Sequence, residues 1–103
     1  MSNNCGKVKL KLVGSDKEKI KDKVTKVLAE VKKTAAKKNI TVSGDLKSGD
    51  IDGRKEWKIW GTYSIEMDEK KNEAAVEVAM EEDHWAVSCD YVNDLIKEWF
   101  KGK

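Results

Sequence analysis

The sequence predicts an α+β fold in which a mostly antiparallel, four-stranded sheet carries two helices on one face. Three observations lead to this prediction. Residues 15–39 hold apolar residues at helix spacing, residues 7–13 alternate between lysine and apolar residues, and three later strand-like segments follow one another through short polar connections. Because short connections join antiparallel strands, the predicted order of elements is β-α-β-β-β-α.

The long amphipathic helix over residues 15–39 is the element around which the other segments are expected to pack. Ser15 is placed to cap its N-terminus, and Glu18 lies three residues later, which is the spacing of a capping box. Asn39, followed by a β-branched segment, marks its predicted end. The apolar residues that share one helix face are Ile20, Val24, Val27, Leu28, Val31 and Ala35.

The first predicted strand covers residues 7–13. Its lysines fall on one face and its apolar residues on the other, which is typical of a strand with one solvated face. Lysines on a strand discourage pairing with another chain, so this strand is a candidate sheet edge. Residues 1–6 are predicted to be a flexible N-terminal tail, and residues 7–103 a single α+β domain.

The next three strands are separated by turn-forming segments. A second strand over residues 40–46 is followed by residues 47–53, whose glycines, aspartates and serine predict a turn. The third strand covers about residues 54–67. A polar loop over residues 68–72 then leads to a fourth strand with Ala74, Val76, Val78 and Met80 on its inner face.

A second helix is predicted from about residue 88 or 90 to residue 101. Asp90 and Asp94 lie early in it and Lys97 lies late, as the helix dipole favours. Whether residues 84–88 continue the fourth strand or form a loop is left open by the pattern. The apolar residues of this helix are Val92, Leu95, Ile96, Trp99 and Phe100.

Length and charge fit one small domain with no strong preference for a charged partner. The chain has 103 residues and a net charge of +2, but residues 1–38 carry +8 and the remainder −6. The enrichment in lysine and glutamate and the absence of proline are compatible with a thermophilic source or a designed chain.

The expected location is the cytoplasm. No apolar run is long enough to cross a bilayer, and the first residues lack the apolar segment of a secretory signal, so no membrane association is expected. Cys5 and Cys89 are therefore expected to be free thiols rather than a disulfide.

No residue pattern predicts an enzyme, a metal site or a cofactor. Cys5, His84 and Cys89 do not have the spacing of a zinc site, and the proximity of His84 and Cys89 in sequence is weak support for a catalytic pair. The glycines form no phosphate-binding motif. The sequence therefore favours a non-enzymatic binding module or structural scaffold.

Three kinds of binding are compatible with the sequence. The favoured one is a protein partner or self-association at the outer sheet face, where Trp60 is the one large apolar residue, with Lys58 and Thr62 beside it. The second is nucleic-acid binding by exposed lysines, although arginine and exposed aromatic residues are scarce. Its candidate contacts are Lys7, Lys9, Lys11, Lys19, Lys26, Lys33 and Lys37.

The third kind is binding of a small molecule in an aromatic-lined pocket between helix and sheet. Aromatic residues are numerous for so small a core, but ordinary core packing also explains them. The candidate pocket residues are Trp57, Tyr63, Trp85, Tyr91 and Trp99.

Overall fold

The computed structural model describes residues 2–83 and 87–101, and side chains from Asn4 onward. It is an α+β fold of five strands and two helices. The elements are β1 (Ser2–Val13), α1 (Ile20–Lys37), β2 (Thr41–Gly44), β3 (Ser48–Gly53), β4 (Ile59–Asp68), β5 (Glu73–Asp83) and α2 (Cys89–Phe100). Of residues 84–88, whose conformation the sequence leaves open, residues 84–86 lie outside the described residues.

All five strands are antiparallel to their neighbours, in the order β1-β5-β4-β3-β2. β4 is therefore the central strand, and α1 carries the chain from one edge of the sheet to the other. The prediction of four strands is wrong, because residues 48–53 form β3 rather than a turn. Ile51 of β3 is buried, and burying it between β2 and β4 outweighs the local preference of the flanking glycines and aspartates for a turn.

The first residues also differ from the prediction, because β1 begins at Ser2 and pairs with β5 where a tail is expected. Cys5 and Gly6 form a bulge in β1, at which the register with β5 shifts. Gly6 has a φ of 80°, and its N–H donates to the Asn4 side-chain oxygen at 2.7 Å. This conformation favours glycine at the bulge.

The two cysteines form a disulfide, which corrects the prediction of free thiols. They are 84 residues apart in sequence, but their Cα atoms are 5.0 Å apart. Because β1 pairs with β5, and β5 precedes α2, the β1 bulge lies beside the first residue of α2. The disulfide thus links the edge strand to the second helix.

α1 begins at Ile20 rather than at Ser15, and a residue of a distant loop caps it. The Ser15 hydroxyl accepts the N–H of Glu18 at 3.1 Å, within a turn that precedes the helix. Asn72, in the loop between β4 and β5, accepts the N–H of Ile20 on its side-chain oxygen at 2.8 Å. Its amide nitrogen donates to the Ser15 carbonyl at 3.3 Å, so one side chain fixes both the turn and the helix start.

Replacing Asn72 tests this cap. Asn72→Gly tolerates the positive φ of this position but removes the acceptor, and we expect it to lower the free energy of unfolding by about 1 kcal/mol. Asn72→Asp keeps a hydrogen-bond acceptor and adds a negative charge, which is favourable at a helix N-terminus. Its loss of stability should therefore be much smaller. Urea denaturation of both variants measures the difference, and equal losses would contradict a capping role.

The core lies between α1, α2 and the inner face of the sheet, so both helices lie on one face as predicted. All six apolar residues of the predicted α1 stripe are buried. They pack in one cluster with inner residues of the strands, such as Val78 and Met80, and with Ile96 and Phe100 of α2. The opposite face of the sheet is left without a helix among the described residues.

Candidate interaction surface

The outer sheet face is the largest regular surface that neither helix covers. We use this name for the outward side chains of the five strands. They are Asn4, Lys7, Lys9, Lys11 and Val13 of β1, Glu73, Ala75, Glu77, Ala79 and Glu81 of β5, Trp60, Thr62, Ser64, Glu66 and Asp68 of β4, Ser48, Asp50 and Asp52 of β3, and Thr41 and Ser43 of β2. Small and charged residues dominate this surface. Its larger apolar side chains are Trp60, on the central strand, and Val13, which is exposed at the end of β1.

Trp60 lies on the central strand of this face, half-buried and held by two neighbours. Its ring N–H donates to Glu81 Oε2 at 3.1 Å, across the β4–β5 pair. The Arg54 guanidinium carbon is 5.6 Å from the ring centroid, at a distance typical of a cation–π contact. Asp52, directly opposite Trp60 on β3, lies 3.9 Å from Arg54 Nε. These contacts orient the ring before any partner binds.

The structure brings together only part of the predicted Trp60 surface. A shallow depression of about 630 Å³ surrounds Trp60 and is lined by Thr62, Arg54 and Glu81, among others. Lys58 is not part of its lining, since it lies before β4 at a φ of 55° and its carbonyl accepts the N–H of Asp83 at 2.8 Å. Arg54, which directly follows β3, contacts the Trp60 ring instead of Lys58. The sequence alone does not show this contact, because it depends on the pairing of β3 with β4.

The candidate lysines divide between two layers of the molecule. On β1, Lys7 pairs with Glu77 and Lys11 with Glu73, each at 2.9 Å. The hydrogen bond and charge of Lys7 hold the pKa of the Glu77 carboxyl below its usual value. On α1, Lys26 pairs with Glu18 at 2.6 Å.

The other α1 candidates, Lys19, Lys33 and Lys37, are exposed in the helical layer. That layer lies on the opposite side of the sheet from the β1 lysines. The seven lysines therefore do not form one basic patch.

The aromatic residues proposed as one pocket lie in different places. Tyr63 is buried in the core, where its hydroxyl donates to the Asp45 carbonyl at 2.7 Å and burial raises its pKa. The Trp57 ring stacks on Tyr91 at 6.3 Å between centroids, and its ring N–H donates to the Lys38 carbonyl at 2.8 Å. Trp85 lies outside the described residues.

Two of the five predicted pocket residues, Tyr91 and Trp99, line a groove between α1 and α2, and Trp57 stacks on Tyr91. This groove of about 730 Å³ is lined by Tyr91, Trp99, Val27 and Leu95, with charged residues around them. Tyr91 is 44% exposed, whereas Trp99 is nearly buried. The groove therefore offers one exposed ring rather than an aromatic cage.

Within the described residues there is no group of three or more residues suited to holding a metal ion. His84 lies outside them, and both cysteines are in the disulfide. Glu82 is a buried acid, 3% exposed, and its carboxylate accepts the N–H of Val87 at 3.0 Å. That contact joins Val87, just before α2, to β5.

Comparison with known proteins gives no family for the chain. No protein-family model matches it, and neither the curated proteins nor the solved structures contain a significant match. Among the described residues, no helix has the length and apolar character needed to cross a membrane. The fold and its surface therefore define a small α+β domain with one open sheet face.

Proposed function

We propose that this chain is a non-enzymatic interaction domain that pairs with a second copy of itself through the outer sheet face. The observation that supports this most directly is Trp60, an oriented tryptophan on the central strand of an uncovered sheet. Tryptophan is enriched at the centres of protein interfaces, where it buries a large area with little loss of side-chain freedom.

The strand order supports a symmetric pair. Two sheets that pack face to face keep their strands nearly aligned, at about 30°. A two-fold axis parallel to β4 would superimpose each central strand on its counterpart, so Trp60 would meet Trp60 of the second copy. The same rotation exchanges the β1 edge with the β2 edge.

Charge is unevenly distributed across the outer sheet face. Lys7, Lys9 and Lys11 lie along the β1 edge, whereas Asp50 and Asp52 lie on β3, in the other half of the sheet. The proposed axis places β1 of one copy over β2 of the other, and β3 over β5. The lysines therefore lie over Thr41 and Ser43, one strand away from the aspartates, so the support for the dimer is Trp60 rather than facing charges.

The expected affinity is modest. Five strands at normal spacing make a sheet roughly 20 Å wide. The area that each copy could bury on this face is therefore smaller than the roughly 800 Å² per partner of a standard interface. A dissociation constant in the micromolar range follows. The dimer is therefore expected to dissociate on dilution.

Sedimentation equilibrium over a concentration series tests the proposal. The native chain should shift from monomer to dimer, and Trp60→Ala should weaken the dimer at least tenfold, because it removes the central contact. Tyr91→Ala is the matched control, since it removes an exposed aromatic ring on α2, away from this face. The proposal is contradicted if the native chain stays monomeric at millimolar concentration. It is also contradicted if Trp60→Ala dimerises as strongly as the native chain.

The alternatives have less support from the structure. Nucleic-acid binding would need one basic surface, but the lysines fall on two layers and three of them are paired with glutamates. A small amphipathic molecule is the better alternative, and the groove beside Tyr91 is its candidate site.

We also infer an oxidising compartment rather than the cytoplasm predicted from the sequence. The support is the Cys5–Cys89 disulfide, because cytosolic reductants keep most thiols reduced. Trapping thiols at the moment of cell lysis tests this location. A reduced pair in the chain's natural host would contradict it.

A further inference from the structure

β1 presents an open backbone edge between two closed ends. The Gly14 N–H donates to the Asn72 carbonyl at 2.8 Å, which continues the β1–β5 register by one residue. In antiparallel pairs, alternate residues bond to the neighbouring strand and those between them point away. Leu12, Leu10 and Val8 therefore bond to β5, whereas the backbone groups of the alternate residues, Lys7, Lys9 and Lys11, face outward.

Side chains close the edge at each end. Beyond Lys11, the Val13 carbonyl accepts Lys23 Nζ at 2.8 Å. Before Lys7, the Cys5 carbonyl in the bulge accepts the Asn93 side-chain amide at 3.0 Å. These caps and the disulfide leave a defined stretch open, from residue 7 to residue 11.

The open stretch offers a complete set of strand-pairing groups. No group among the described residues bonds to the outward backbone N–H and C=O groups of Lys7, Lys9 and Lys11. The stretch is about 13 Å long at the usual rise of a strand, which fits five residues of an added strand. Unpaired edges of this kind are the sites at which proteins bind extended peptides by strand addition.

The side chains along this edge decide which strand fits. Lys9 makes no ion pair with any described residue, whereas Lys7 and Lys11 on either side of it pair with glutamates of β5. An added strand places its own side chains directly beside these lysines. Carboxylates are therefore favoured on that face, and apolar residues on the other, beside the half-buried Leu10.

We infer that the open edge of β1 at residues 7–11 binds an extended, antiparallel peptide of another protein in which acidic residues alternate with apolar ones. A second copy of β1 does not fit, because its lysines would lie opposite these lysines and like charges across a strand pair repel. The lysines that protect the edge from unspecific pairing thus select an acidic partner. This site uses the backbone edge of β1, whose lysine side chains also belong to the outer sheet face, and its peptide binding does not depend on the proposed dimer.

Fluorescence anisotropy with a labelled peptide of alternating glutamate and valine tests the inference. In an antiparallel pair, the glutamates opposite the lysines use their own backbone N–H groups to bond to β1. N-methylation of the glutamates should therefore weaken binding at least tenfold, whereas N-methylation of the valines should change it less than twofold. A peptide with lysine in place of glutamate should not bind.

Two variants at one position separate backbone pairing from charge. Lys9→Gln removes only the charge and should weaken binding a few-fold. Lys9→Pro also removes an outward N–H that β5 does not use, so the fold should survive and binding should be lost. Protection of the Lys7, Lys9 and Lys11 amides from hydrogen exchange on peptide addition gives a readout that needs no variant.

Three results would overturn the inference: no binding of the acidic peptide at millimolar concentration, equal binding of both N-methylated peptides, or unchanged exchange at the three lysine amides. Trp60→Ala should bind the peptide as the native chain does. Failure of the dimer and failure of the edge site are therefore distinguishable.

Discussion

Removal of the Cys5–Cys89 disulfide is expected to lower the free energy of unfolding by about 4–5 kcal/mol. The cysteines are 84 residues apart, so the bond closes a loop over most of the 103-residue chain. Closing a long loop removes many conformations from the unfolded state and stabilises the folded state by comparison. Since small domains have about 5–15 kcal/mol in total, the reduced protein should be close to unfolding.

Denaturation in urea with and without a reductant measures this effect. The native chain should unfold at a much lower urea concentration when reduced. The double variant Cys5→Ser, Cys89→Ser should match the reduced protein and should not respond to the reductant. If the native chain unfolds at the same midpoint in both conditions, the two cysteines are not bonded.

The disulfide shows where sequence patterns stop being informative. Periodicity predicts that Val8 lies on a strand and that Val92 lies on a helix, and both are buried as expected. It does not predict that β1 pairs with β5, which is the pairing that brings Cys5 to Cys89. That pairing follows from the sheet order, a property of the whole chain, so composition alone favours two free thiols.

The same limit applies to the candidate site. The alternation of β4 correctly predicts that Trp60 lies on the outer face, because side-chain direction depends on local parity. The neighbours of Trp60 depend on register between strands. Glu81 and Arg54 therefore contact the ring, although the sequence points to Lys58, which is closer along the chain.

β3 is the element for which local chemistry predicts the wrong structure. Glycine, aspartate and serine in residues 47–53 are typical of a turn, yet residues 48–53 form a paired strand. Gly49 lies directly opposite Tyr63 of β4, and the aromatic ring covers the space that a side chain would fill. Such an aromatic ring over a glycine is a known way to stabilise a glycine-containing strand.

Gly49→Ala is accordingly expected to lower the free energy of unfolding by about 3 kcal/mol, because the site is already filled. An added Cβ would overlap the carbonyl oxygen of Ser43 on β2 and the ring of Tyr63 on β4. The Ser43 oxygen belongs to the backbone and cannot rotate away. Relief of both overlaps would require β2 and β3 to separate and the Tyr63 ring to move, which would strain its hydrogen bond to the Asp45 carbonyl.

Thermal and urea denaturation of Gly49→Ala, compared with Ser48→Ala, tests this packing. Ser48 is the exposed neighbour of Gly49 on the same strand, so its substitution should change the free energy of unfolding by less than about 0.5 kcal/mol. In an ordinary turn, alanine at position 49 would be nearly as well tolerated as at position 48. Equal stability of the two variants would therefore mean that residues 48–53 form the turn that their composition predicts, and that Tyr63 is not packed against them.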